Sequence, residues 1–486
     1  MKKFWKYLAI VLLSLIGLCA IGVLYLFFVP NSSLFGICYI SYNKEYFSQR
    51  YNTEEFAVNK IVLNSRDYEL VVQNSSNDNT DIYAKVYSNS FGFTLKKHSQ
   101  VNIESKLVEG CLTIDITEPY GACIPGRSKI TVVVPANFSA DLALSNHNSS
   151  TTIEAGSLNV SNLACTTNNG EFFVNACKIN GKISVSLNRG NFTLNKAVQL
   201  NTNNLELKTN TGNLYASEVE LGNVKITKNN RAMIKIKSCV SFDLNNTNAG
   251  GSVEIGTVGE FSVNSSDTNL SVNQITTGGA VVLSKSGKVK IGEINAQTSI
   301  KTKDGNITVD KATSPLFLVT TGSGNVVLKS TTSSLFAETT YGDITAYFAE
   351  ESASFADNTN ARRLQAKTSS GDILASGVEN VNIEVTGKGT VKLYMKHVLK
   401  DNEISINSGS AYVEFADDSS FVLNTKSVNG KANVNYLSSP DLSEPNKEYT
   451  GNCIFNINAS TDSENKLTIS SNSGFIKVRD NSTKNY

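Results

Sequence analysis

From about residue 141 the chain repeats itself: an alternating pair of apolar residues, a corner rich in Thr, Ser and Asn, usually a glycine, then another alternating pair beyond it. The segments LNRGNFTL, TKDGNITV, TTYGDITA, TSSGDILA and TGKGTVKL carry the pattern directly. The corner glycine falls at Gly170, Gly190, Gly212, Gly251, Gly287, Gly305, Gly324, Gly342, Gly371, Gly389, Gly409 and Gly430, and the apolar phase continues through Ala232 and Thr268, where glycine is missing. Most successive corners lie about 17 to 22 residues apart, a period that belongs to solenoids.

Period-two alternation gives every short strand one apolar face, as at Phe192/Leu194, Val253/Ile255, Val289/Ile291, Ile307/Val309 and Val391/Leu393. A single rung has nothing to bury that face against. Stacked at about 4.8 Å, equivalent residues superpose into internal columns while backbone bonds run between rungs; roughly sixteen rungs give a rod on the order of 75 Å long. Gly and Asn at the corners are expected to supply positive φ, and Asn or Thr side chains to satisfy corner amides. No proline interrupts Ala136 to Ser314, as unbroken ladders require. An antiparallel meander is the rival, since TNTGN and TKDGN suit hairpin turns. A meander has no need to keep every second connection equal, so the uniform period favours an all-β, elongated, parallel β-solenoid of β-helix-like type.

The first thirty residues obey a different rule. Tyr7 to Val29 carries no charge, is almost wholly apolar, and as a helix spans about 30 Å of hydrocarbon. Lys2, Lys3 and Lys6 precede it and the next basic residue is Lys44, so the positive-inside bias keeps the N-terminus cytoplasmic and exports the rest. A cleaved signal peptide is the alternative, but the run exceeds a typical h-region and FFVPNSS lacks a small-x-small site. A lipoprotein signal fits less well, because Leu18 precedes Cys19. The expected layout is a cytoplasmic stub (1–6), a membrane helix (7–29), a spacer (30–58), an N-terminal β cap (59–140), solenoid repeats (141–436), a loop (437–450), and C-terminal strands with a tail (451–486). Of seven cysteines outside the helix, Cys111 with Cys123 and Cys165 with Cys177 are spaced to close hairpins; buried free thiols are the alternative.

Charge selects no partner. Lys and Arg number 44 against 43 Asp and Glu, a net charge of +1 that gives no nucleic-acid footprint. A carbohydrate-active β-helix enzyme needs carboxylates, or a carboxylate and a base, converging on one face. The acidic residues here are scattered: Asp78 and Asp81, Glu350 and Glu351, Asp417 and Asp418 read as solvated turns, and Asp304, Asp343 and Asp372 as corner caps. His98, His147 and His397 lie far apart without HExxH, and no phosphate-binding glycine loop joins a strand to a helix. LYMKHVLK, with Lys392, Lys396, His397 and Lys400, is a small basic cluster open to an anionic wall polymer or lipid, or simply a polar strand face. No catalytic, cofactor-binding or metal residue is expected.

The phrase KITVVVPANFSADLALSNHNSSTTIEAGSL, followed by units such as TSSGDILASGVENVNIEVTGKGTVKL, resembles the bacterial adhesin-type family of membrane-anchored β-strand-repeat proteins over roughly residues 60 to 480. The resemblance implies an envelope protein of β-solenoid type. The expected function is a non-catalytic, membrane-anchored surface interaction protein that binds cell-wall polymer, glycan or protein through a repetitive face. An envelope scaffold or sensor acting with another membrane protein is the alternative.

Overall fold

The computed structural model describes residues 2–28, 33–34, 37–75, 79–95, 101–117, 121–125, 129–201, 204–228, 230–246, 250–320, 322–349, 362–416, 419–435, 447–458 and 464–480. The chain falls into two units, Met1–Lys208 and Thr209–Tyr486.

In the first unit a helix, Lys2–Phe28, leads into strands. Its segment Lys3–Leu26 is long and apolar enough to cross a membrane, with a mean hydropathy of 2.7. Lys60–Ser65 and Glu69–Asn74 then form a rung on which later segments stack in parallel, Ile61 against Leu142 and Leu70 against Thr151. On the other side of that rung lie Cys111–Thr117 and Lys129–Val134, also parallel to it. Antiparallel strands close this end: Asn102–Val108 covers Cys111–Thr117, and Asp81–Leu95 covers Lys129–Val134. An antiparallel partner ends the parallel ladder, so its edge offers less to another chain.

The second unit is a parallel solenoid, and the meander is excluded by its registers. Val289 pairs with Ile307, Ile307 with Val326, Val326 with Ile344, Ile344 with Ile373, Ile373 with Val391 and Val391 with Ala411, each one turn further on. A rung has a first strand, a bend and a second strand, as in Val289–Ile294 and Thr298–Thr302. Inward positions follow the alternation: Val289, Ile291 and Ile294 from one side, Thr298, Ile300 and Thr302 from the other, all at most 1% exposed. Stacking these rungs produces dry columns, and that burial supplies the main driving force for a rung to add to its neighbour.

Chain order breaks at the C-terminus. Ala411–Phe415 is followed on its face by Phe475–Asp480, and Asp401–Ser408 by Lys466–Ser473. Phe421–Asn435, which comes earlier in the sequence, lies beyond both as the outer rung. Glu448–Ile457 runs antiparallel along Phe421–Asn435 and covers part of its edge. Residues 464–480 are therefore slotted between two rungs that formed from earlier sequence, and Gly474 takes a corner between Gly409 and Gly430.

Candidate ligand-binding groove

The corners show what the repeat glycines are for. A Cβ on Gly305 would collide with the carbonyl of Gly287, one on Gly324 with Gly305, and so on through Gly342, Gly371, Gly389 and Gly409. Of the expected corners only Gly190, Gly251 and Gly409 have positive φ, which corrects the expectation that the bend itself demands it. At most corners the constraint is close approach between rungs, not left-handed backbone. A buried threonine three residues before the glycine does the capping: Gly170, Gly212 and Gly342 N–H donate to Thr167, Thr209 and Thr339 Oγ1 at 2.7, 2.7 and 3.0 Å.

The residue after the glycine reaches forward one rung. Asn306 Oδ1 accepts from Asn325 N–H, Asn325 Oδ1 from Asp343 N–H, Asp343 Oδ1 from Asp372 N–H and Asp372 Oδ1 from Thr390 N–H, at 2.8 to 3.0 Å. Asp343 and Asp372 are corner caps, as the turn chemistry predicts, while Asp304 lies on the other side of its glycine and accepts from Ser323 N–H. In the first unit surface asparagines hydrogen-bond to one another between rungs, as Asn169 does to Asn148 and Asn195 to Asn175, and Asn148 and Asn175 in turn donate to Asp67 and Glu154; Asn162 and Asn191 likewise donate to Asp141 and Glu171. The amide donates towards the anion, which favours the charge-assisted order. These side chains are spent on cohesion between rungs.

Other candidate residues stay apart. Asp81 lies 3.8 Å from Arg50, and His147 Nε2 lies 3.4 Å from Asn168 Nδ2. Lys396, His397 and Lys400 follow Val391–Met395 at the bend. Asp78, His98, Glu350, Glu351, Asp417 and Asp418 lie outside the described residues. Among the described residues no three His, Cys, Asp or Glu side chains come together as metal ligands do.

One member of the basic cluster, Lys392, opens onto a groove of about 640 Å³ on the first-strand face of the second unit. Two outward columns build it. The first runs Leu374, Lys392, Tyr412, Lys477 on successive rungs, and the second runs Ser376, Tyr394, Glu414, Arg479 beside it. Arg479 Nε donates to Glu414 Oε1 at 2.8 Å, so the groove's carboxylate is already neutralised. Lys392 and Lys477 flank Tyr412 one rung to either side, about 4.8 Å away along the axis. Neither lysine has an ion-pair partner among the described residues. Lys477 and Arg479 come 65 residues after Tyr412 and Glu414 and reach the groove only because the last strand is inserted there; sequence reasoning found Lys392 and missed the rest.

A family model for Toastrack DUF4097 matches residues 58–255 and 252–386, together 329 of the 486 residues. The chain belongs to the Toastrack DUF4097 family. The resemblance read from the repeats is thereby shown, over a span that ends before the C-terminal rungs. No curated protein matches the sequence. Among solved structures, a provisionally named cell adhesion protein from Clostridium sporogenes ATCC 15579 is similar at 9% identity over 90% of this chain and 99% of its own, with a TM-score of 0.17. A provisionally named adhesin from Parabacteroides merdae ATCC 43184 is similar at 15% identity over 72% and 96%, with a TM-score of 0.24. A provisionally named lipid-binding protein from Parabacteroides distasonis ATCC 8503 is similar at 13% identity over 72% and 98%, with a TM-score of 0.17.

Two buried thiols and one buried lysine of this Toastrack chain bear on chemistry. Cys165 and Cys177 are both buried free thiols, not the disulfide their spacing allowed, and burial raises both, Cys177 to about 12. Protonated and inaccessible, they are poor nucleophiles. Cys111 is likewise free, and the side chain of Cys123 lies outside the described residues. Lys228 is fully buried, and its Nζ donates to Gly250 O at 3.1 Å and Thr268 Oγ1 at 3.3 Å. It fills the corner column at the rungs where glycine is irregular.

Proposed function

We propose that this Toastrack protein is a surface interaction module held at a membrane by Lys3–Leu26, with its strands on the extracytoplasmic side, and that it binds a cell-wall polymer, glycan or protein without transforming it. The observation that carries the reading is the division of labour among polar side chains. Corner Thr, Asn and Asp are committed to bonds between rungs, while the groove beside Tyr412 keeps Lys392 and Lys477 unpaired on a rigid sheet. A preorganised face loses little entropy on binding, and repeated weak contacts along the axis add up. The orientation rests on the lysines before the helix.

The test is binding of the full chain, held in nanodiscs, to a panel of wall polymers, acidic and neutral glycans and matrix proteins. Saturable binding to one member supports the module. Binding to none, with the chain folded, would overturn it and favour a scaffold that acts through another membrane protein.

A further inference from the structure

We infer that the groove takes an acidic polysaccharide whose anionic group recurs on every second sugar, lying along the solenoid axis across Leu374, Lys392, Tyr412 and Lys477. This deepens the proposed binding function and rests on it. The argument begins with order. Along that column an aliphatic side chain, a cation, an aromatic ring and a cation occupy four successive rungs. The two lysines are two rungs apart, about 9.6 Å. An extended chain of equatorially linked pyranoses advances by little more than one rung per sugar, so carboxylates on alternate sugars meet Lys392 and Lys477 in turn. The intervening sugar then lies on Tyr412, which is 39% exposed and offers an apolar face to the C–H groups of a ring.

The neighbouring column fits the same ligand. Tyr394 stands diagonal to Tyr412 and broadens the apolar floor, and the Ser376 and Thr390 hydroxyls at the groove's edge suit sugar hydroxyls. Three cations against one carboxylate favour an anion, and the carboxylate, Glu414, is bonded to Arg479 instead of facing the ligand. A neutral glycan would leave both lysines without partners, and a dense polyphosphate would leave the tyrosines without a ring to cover.

The experiment uses the full chain in nanodiscs with a hyaluronan decasaccharide, which carries one carboxylate per disaccharide, a chitin oligosaccharide as the neutral chain, and polyphosphate as the charge without sugar. The hyaluronan fragment binds saturably, weakens as salt rises, and loses about tenfold in affinity in the double variant Lys392→Gln/Lys477→Gln. Tyr412→Ala weakens it as well, while Lys301→Gln on the opposite strand leaves it unchanged. All four positions are outward, so circular dichroism and thermal melting should match the parent. Equal binding by the double variant, or polyphosphate binding as tightly as hyaluronan, would overturn the proposal. If a panel member binds with an affinity these variants do not change, the interaction module stands and the groove is wrong; if nothing binds, the proposed function fails with it.

Discussion

An added methyl group on Gly371 would run into the carbonyl of Gly342 one rung earlier, with Thr368 Oγ1 3.1 Å away on another side. Gly371→Ala should therefore destabilise the protein by about 2–3 kcal/mol in urea unfolding, because rigid backbone gives little. Gly156→Ala is the matched control: its nearest non-neighbouring atom is 3.9 Å away, and the midpoint should barely move. Lys228 offers a second residue-scale prediction. Burial lowers its ammonium to about 8, below its ordinary value of 10.5. Between those values the unfolded chain binds the proton and the folded chain does not, so stability rises with pH across the window, by at most about 1.4 kcal/mol per pH unit from this group. Below pH 8 both states are charged and the burial penalty is full. Lys228→Met should flatten the slope of chemical unfolding midpoints between pH 8 and 10.5. The corner glycines were legible in the sequence, but their reason was not: a repeat reports that glycine recurs, whereas only the stacked carbonyls show that at most corners close approach, and not a left-handed bend, demands it.

At the scale of elements, the paired strands of each rung were readable because period-two alternation marks an inward face without reference to any partner. Val289, Ile291, Ile307 and Val309 are all buried, as that pattern requires. The inserted C-terminal rung was not readable. Leu467, Ile469, Ile476 and Val478 carry the same pattern as any other rung and fit equally well at the end of the stack or within it. Insertion gives Lys466–Ser473 and Phe475–Asp480 a parallel partner on both sides, between Asp401–Ser408 or Ala411–Phe415 and Phe421–Asn435. Deleting residues 464–480 should therefore strip protection from Val391–Met395 through Phe421–Asn435 in amide hydrogen exchange, while Val289–Thr302 stays protected, since rungs couple mainly to their neighbours. Uniform loss across both regions would mean a more cooperative unit than nearest-neighbour stacking provides. Size-exclusion chromatography of the truncated chain should also show association through the vacated edges.

For the whole molecule, the prediction concerns where the chain resides. Held by its helix, the protein should stay in the membrane pellet after alkaline carbonate extraction, and mass spectrometry of that pellet should recover the N-terminal peptide with Lys2 and Lys3. External protease on intact cells should digest the strands. A soluble chain that begins beyond residue 29 would overturn retention and identify a cleaved signal.

By itself the sequence determined an all-β repeat, its corners, its apolar columns and the apolar N-terminal helix, because each of these follows from local periodicity or local hydropathy, and it favoured the parallel coil that the registers then established. Tertiary structure alone decided which rung lies on which. Every rung presents nearly the same edges and the same inward face, so the repeat is blind to order, and order is set by how the chain ends gain partners on both sides. The groove follows from that choice: Tyr412 and Glu414 meet Lys477 and Arg479 only where the last strand is slotted beside Ala411–Phe415.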